Sequence, residues 1–248
     1  MKVIFNGEAV QNSNQGYYTT VDENFNQAYK LITTEQSHSE LIEMLEQGNI
    51  VQKQLAALKL ETINSPKEAQ ILINNLTGQD GKVREAVSLK ITEFMHNKEF
   101  ANYFDVEKNY KTFLDATIDI NGNICRNIIS AISTLITNKK FCKIFGEELQ
   151  KRTKALALIV KDFDFQEGKY KVNKEVFKLY WHLETIYIFA FQLDFQELKN
   201  ILTLTSQINE YTIREKTAKI LTLNFDDNEL NIIKKNLKND TNYYVRRF

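Results

Sequence analysis

Turn-forming residues are scarce in this chain. One proline and eight glycines in 248 residues are too few for the many short strands and tight turns of a sandwich or barrel. With 43% hydrophobic residues the chain does not read as disordered, and it is long enough to bury a sizeable core. Long helices joined by few turns are expected, an all-α protein. Cysteine is scarce too. Cys125 and Cys142 are too few for a disulfide framework and lack metal-ligand spacing, which fits a reducing compartment. There is no excess of charge: 32 basic and 32 acidic side chains cancel, which argues against a general electrostatic grip on nucleic acid or on an anionic membrane. Long apolar runs are missing as well. The richest, "LYWHLETIYIFAFQL", is too short and too polar to span a bilayer, and "MKVIFNGEAV" does not read as a signal peptide. A soluble cytoplasmic protein without membrane contact or cofactor is expected.

What the sequence does contain is a repeated motif, a polar turn followed by an apolar-basic pair. "GQDGKVREAVSLKI" places Val83 and Arg84 after Asp80-Gly81, and "DINGNICRNIISAI" places Cys125 and Arg126 after Asn121-Gly122-Asn123. "SQINEYTIREKTAKIL" places Ile213 and Arg214 after Asn209, and the final "NDTNYYVRRF" places Val245 and Arg246 after Asp240. Two looser copies fill the gaps: Val51-Gln52 after Gly48-Asn49, and Phe177-Lys178 after Asn173. The basic column therefore reads Gln52, Arg84, Arg126, Lys178, Arg214, Arg246. Four residues past each apolar position come Leu55, Val87, Ile129, Trp181 and Thr217, and one further come Ala56, Ser88, Ser130, His182 and Ala218. A mostly apolar column beside a mostly small one describes a helix face with a close-packing spot.

Successive copies lie 32, 42, 52, 36 and 32 residues apart, close to the lengths of two-helix and three-helix repeat units. The two long intervals contain "HNKEFANYF" at 96–104 and "TNKKFCKIF" at 137–145, which share Asn-Lys-x-Phe-x-x-x-Phe and predict a third helix in each. Helix starts are legible before several copies. Ser65-Pro66-Lys67-Glu68 reads as a capping box with proline at the first helical position, and Asp194 to Glu197 and Asp226 to Glu229 follow the same logic. These predict helices over 66–75, 195–205 and 227–237.

On these motifs the chain resembles the HEAT-repeat family, and more loosely the armadillo family, over roughly residues 39–248. The resemblance implies a right-handed α-α superhelix, a solenoid of about six units with the last one truncated, running over 22–248 after an N-terminal extension at 1–21. Within that extension Asn6-Gly7 signals a hairpin between short apolar runs, followed by a polar loop to about Thr20. An arginine in the first turn of a helix meets the positive end of the macrodipole, a cost of up to ~1 kcal/mol, so a repeated one needs compensation. In the resembled family it reaches the turn of an adjacent repeat and forms a ladder. Asp80, Asn123, Asn209 and Asp240 are the matching turn residues here, for a structural column of Arg84, Arg126, Lys178, Arg214 and Arg246. A ligand-facing basic stripe is the alternative.

Candidate chemistry concentrates at "KLYWHLETIYIFAFQL". Tyr180, Trp181, Tyr187 and Phe191 could wall a base or a bilin, with His182 or Glu184 as acid or base; the plainer reading is a central helix packed on both sides. His38, His96 and His182 are far apart and none pairs with a Glu at ligand spacing, so no metal site is expected. The resemblance admits enzymes, a DNA-base glycosylase or a bilin lyase. A glycosylase would use a basic channel, for which only 231–248 is locally basic, with Lys234, Lys235, Lys238, Arg246 and Arg247 against Asp240. No residue set singles out a bilin lyase. The expected function is a non-enzymatic scaffold that binds a protein partner in the concave face of the solenoid, with Tyr180, Trp181, His182 and Glu184 as candidate groove residues. The stretch 22–48 is acidic, with Asp22, Glu23, Glu35, Glu40, Glu43 and Glu46 against Lys30. Facing a basic end, it also predicts head-to-tail self-association.

Overall fold

A computed structural model describes residues 4–5, 8–9, 15–163 and 173–248. Apart from one short antiparallel pair, β1 (Ile4–Phe5) and β2 (Glu8–Ala9), with Ile4 opposite Ala9 and Phe5 opposite Glu8, its regular structure is helical. The Asn6-Gly7 turn expected between these strands lies outside the described residues. The polar loop expected up to Thr20 gives way to a helix, α1 (Gln15–Thr33). There follow α2 (His38–Gln47), α3 (Ile50–Lys59), α4 (Pro66–Asn74), α5 (Gly81–His96), α6 (Ala101–Phe104) and α7 (Glu107–Ala116). The rest of the chain forms α8 (Gly122–Ser133), α9 (Lys139–Lys161), α10 (Lys174–Phe189), a 3-10 turn at Ala190–Gln192, α11 (Phe195–Ser206), α12 (Tyr211–Leu221), α13 (Asn228–Lys238) and α14 (Tyr243–Arg246). Two compact units divide at Val87 and Ser88, inside α5 and inside the stretch 22–248.

In the first unit α3 is the common partner, touching α1 on one side and α2 on the other, while α2 also touches α4. Local chemistry sets the helix starts. Ser37 and Glu40 close a capping box on α2, and Asn49 and Gln52 close another on α3, which explains why the first copy of the motif carries glutamine in the basic column. The box expected at Ser65 is half made. Ser65 accepts from the Glu68 amide, but the Glu68 carboxylate turns to the Asn64 amide at 2.8 Å and to His38 at 2.9 Å. Lys59 donates to the Leu31 and Thr34 carbonyls and to Gln36, tying down the C-terminal end of α1. Leu45, Ala57, Leu60 and Leu72 are fully buried beneath these helices.

The second unit is built from helix pairs. α7 packs on α8, α9 on α10, α11 on α12 and α13 on α14. Between pairs, α7, α9, α11 and α13 touch in succession, and so do α8, α10, α12 and α14. The expected third helices take a different form. The stretch 96–104 ends α5 and then makes only the four-residue α6, while 137–145 is the start of the 23-residue α9. Asn138 caps α9, Phe141 and Phe145 stack at 4.8 Å on its buried side, and no proline interrupts the residues beyond Phe145, so the helix runs on. Gly146 does not break it. That glycine lets α9 approach the chain after α10, where an added Cβ would stand 2.8 Å from Leu193 Cδ2. Asp194 and Asp227 cap α11 and α13; the second cap falls one residue later than the sequence suggested.

Candidate functional site

α10 is apolar on nearly every side, "KEVFKLYWHLETIYIF", the pattern of a helix with neighbours all round. Asn173 starts it by accepting from the Glu175 and Val176 amides. It touches α9, α8 and α12. Each neighbour receives a different set of side chains, and this sorts the four residues singled out in the sequence.

Toward α12 the helix presents Tyr180, Glu184 and Tyr187, spaced i, i+4, i+7. Glu184 accepts from Lys216 at 2.6 Å and from Lys219 at 2.5 Å. The Lys216 ammonium sits 4.3 Å from the centre of the Tyr180 ring, and the Lys219 ammonium 4.3 Å from that of Tyr187. Five half-buried side chains thus form one alternating row, ring, cation, anion, cation, ring. Burial pushes the Glu184 carboxyl up, but the two lysine hydrogen bonds outweigh it and hold the group below the ordinary carboxylate value. Burial pulls Lys216 down while Glu184 and Tyr180 pull it further up, so it stays charged. A carboxylate saturated by two ammonium groups is a fixed charge and a poor proton donor. The lysines were missed in the sequence because their partner lies 32 and 35 residues away, although Lys216 and Lys219, three residues apart on one helix, follow Ile213-Arg214 at helical spacing.

Trp181 faces α8 and lies in the core rather than along an open wall. It is 8% exposed and packs with Cys125 and Ile129, with Ile118, Phe177, Tyr180 and Ile188 around it. Phe177 and Tyr180 meet it edge-on at 6.1 and 5.4 Å. Gly122 makes room for the indole, since an added Cβ would come within 3.2 Å of it. Beside it the Cys125 thiol is pushed up to about 12 by burial and by Asp119. His182 is fully buried, and among the described residues neither ring nitrogen has a hydrogen-bond partner. Burial pushes it down to about 3, with the charges of Arg152 and Lys178 adding to the effect, so the imidazole is neutral at ordinary pH. Tyr180 and Glu184 are therefore brought together at α12, whereas Trp181, which touches the Tyr180 ring, and His182 are buried in the core.

Three members of the basic column share a geometry that the sequence did not suggest. Arg84 donates to the Gln79 carbonyl, Arg214 to the Ile208 carbonyl at 2.9 Å, and Arg246 to the Thr241 carbonyl at 2.8 Å. Each guanidinium folds back over the turn five or six residues before it and gives a partner to a carbonyl of that turn. Arg214 in addition forms a two-pronged pair with Asp240 in the turn before α14, 2.6 and 3.2 Å. Arg126 donates to Asn123 in its own turn, and Lys178 pairs with Glu175 at 2.9 Å. Asn121 and Glu210 cap the helices that follow these turns.

A cleft of about 460 Å³ lies between the first half of α9 and the chain leading into α11, lined by Lys139, Cys142, Gly146, Gln150 and Leu193 among others; none of the four α10 residues lines it. His38 meets Glu68 and Asn64, and His96 meets Ser130, so the histidines stand apart. Among the described residues no three His, Cys, Asp or Glu side chains converge as a metal-binding group, and no helix is long and apolar enough to cross a membrane. A scan against protein-family models finds no match, and a search of the curated proteins finds none either.

Proposed function

We propose that the chain is a non-enzymatic scaffold, a HEAT-like right-handed superhelix that takes a segment of a partner protein along the face lined by α8, α10 and α12. The observation that carries this reading is the row Tyr180, Lys216, Glu184, Lys219, Tyr187. Its rings and charges are fixed before any partner arrives, so little side-chain entropy is lost on binding, and tyrosine is the kind of residue that anchors protein interfaces. The succession of helix pairs in the second unit supports the superhelix. In this reading the two-pronged Arg214–Asp240 pair is one rung of a ladder that sets the angle between neighbouring pairs, with Arg84, Arg126, Lys178 and Arg246 in the same column.

The enzyme reading, a DNA-base glycosylase or a bilin lyase, needs a free carboxylate beside an exposed aromatic wall. Glu184 is saturated by two lysines and Trp181 is in the core, which favours the scaffold. The test is selection of binding peptides from a displayed library on the intact protein, followed by affinity measurements on Y180A and Y187A. A loss of about tenfold or more in each is expected, with Y243A unchanged. Peptides that bind all three variants like the parent would remove the α10–α12 face from the reading.

A further inference from the structure

Along the row α9, α11, α13, neighbouring helices are joined by the same kind of ion pair. A lysine of the earlier helix reaches an acid at the start of the next: Lys154 to Glu197 at 3.0 Å, then Lys199 to Asp227 at 2.9 Å and to Glu229 at 3.0 Å. α13 carries lysines of its own, Lys234, Lys235 and Lys238, which with Asn228, Asn231 and Ile232 border a shallow depression of about 590 Å³. Ile232 is 57% exposed, and among the described residues Lys235 and Lys238 have no ion-pair partner.

The complementary surface is on α2. Its inner side buries Leu41 and Leu45, and its outer side exposes Glu40, Glu43 and Glu46 at intervals of three residues. Among the described residues Glu43 and Glu46 have no ion-pair partner. Glu40 stands three residues past the cap Ser37, the position that Glu197 holds after its cap Asp194. Glu40 is held there by Ser37, so the acids that α2 leaves open are Glu43 and Glu46.

We propose that a second copy of this chain docks head to tail, laying the acidic outer side of α2 against the lysine-bearing outer side of α13. The contact joins two unlike surfaces, one from each copy. Exposed ion pairs each contribute little and are screened by salt, so the association is weak, concentration-dependent and strongest at low ionic strength.

Sedimentation velocity on the intact protein tests this through a charge swap. The parent should form oligomers at roughly 10 mM salt, where the Debye length is about 30 Å, and dissociate at about 1 M, where it is about 3 Å. A K235E/K238E variant and an E43K/E46K variant should each stay monomeric at low salt, and an equal mixture of the two should associate again. All four sites are exposed, and circular dichroism checks that the variants are folded; K235Q/K238Q serves as a milder second variant with the same expected loss. A parent that stays monomeric at low salt and high concentration overturns the proposal, as do single variants that oligomerise like the parent. A mixture that stays monomeric overturns it too, because the α2 and α13 charges would then serve a different partner or solvent alone.

Discussion

α10 and α13 belong to the same unit and carry opposite lessons. α10 touches three helices, α8, α9 and α12, and the charge it presents to α12, Glu184, is matched there. α13 touches α11, α12 and α14, yet its outer side leaves Ile232, Lys235 and Lys238 in solvent. The difference is visible in composition. "KEVFKLYWHLETIYIF" has two charged residues beyond its first turn, Lys178 and Glu184, both ion-paired, whereas "NELNIIKKNLK" is apolar on one side only. A helix with neighbours all round must solve its polar groups internally. A helix with one open side can leave them to water or to a partner.

The largest break in this comparison is expected from W181A, which empties a packed site between α8 and α10 and should cost about 3–5 kcal/mol in urea unfolding. Next comes His182. Its folded value is depressed from 6.5 to about 3, so the unfolded chain takes up a proton that the folded one refuses. The associated stability is fully present above pH 6.5 and is lost as pH falls toward 3, at up to ~1.4 kcal/mol per pH unit. Unfolding curves between those limits should lose that component of their slope in H182M. E184Q should cost about 1–2 kcal/mol near neutral pH, because two half-buried ammonium groups lose their shared anion. Its deficit should shrink in acid, since a depressed carboxylate contributes above its unfolded value, 4.5, and loses that contribution as pH falls through the folded value. The smallest effect belongs to α13: I232A and K235Q should each leave monomer stability within about 0.5 kcal/mol. A cost for either as large as that of E184Q would mean that α13 is not the open helix of the pair.

Much of the helix pattern was legible. Proline scarcity, the caps at Ser65 and Asp194 and the recurring turn before an apolar-basic pair are local signals, and local signals place helix starts. The helix predicted over 195–205 forms as Phe195–Ser206 and that over 66–75 as Pro66–Asn74. The candidate site was less legible. Aromatic and acid-base residues crowded into one stretch of α10 read as one site, but a helix turns about 100° per residue, so adjacent Tyr180 and Trp181 face different neighbours. The shared Asn-Lys-x-Phe pattern misled for a related reason. Two phenylalanines four apart fix a buried face but say nothing about how far the helix continues.

By itself the sequence determined the helical class, the positions of the turns and the column of basic residues next to them, because each depends on backbone propensity and capping within a few residues. Only the tertiary structure decided what those residues do. It placed Lys216 and Lys219 against Glu184, folded the Arg84, Arg214 and Arg246 side chains over their own turns, buried His182 without a partner and left α2 and α13 each with a charged side open. Burial and ion pairing depend on groups 20 to 40 residues away along the chain, and the separation along a chain carries no orientation until the helices between are packed.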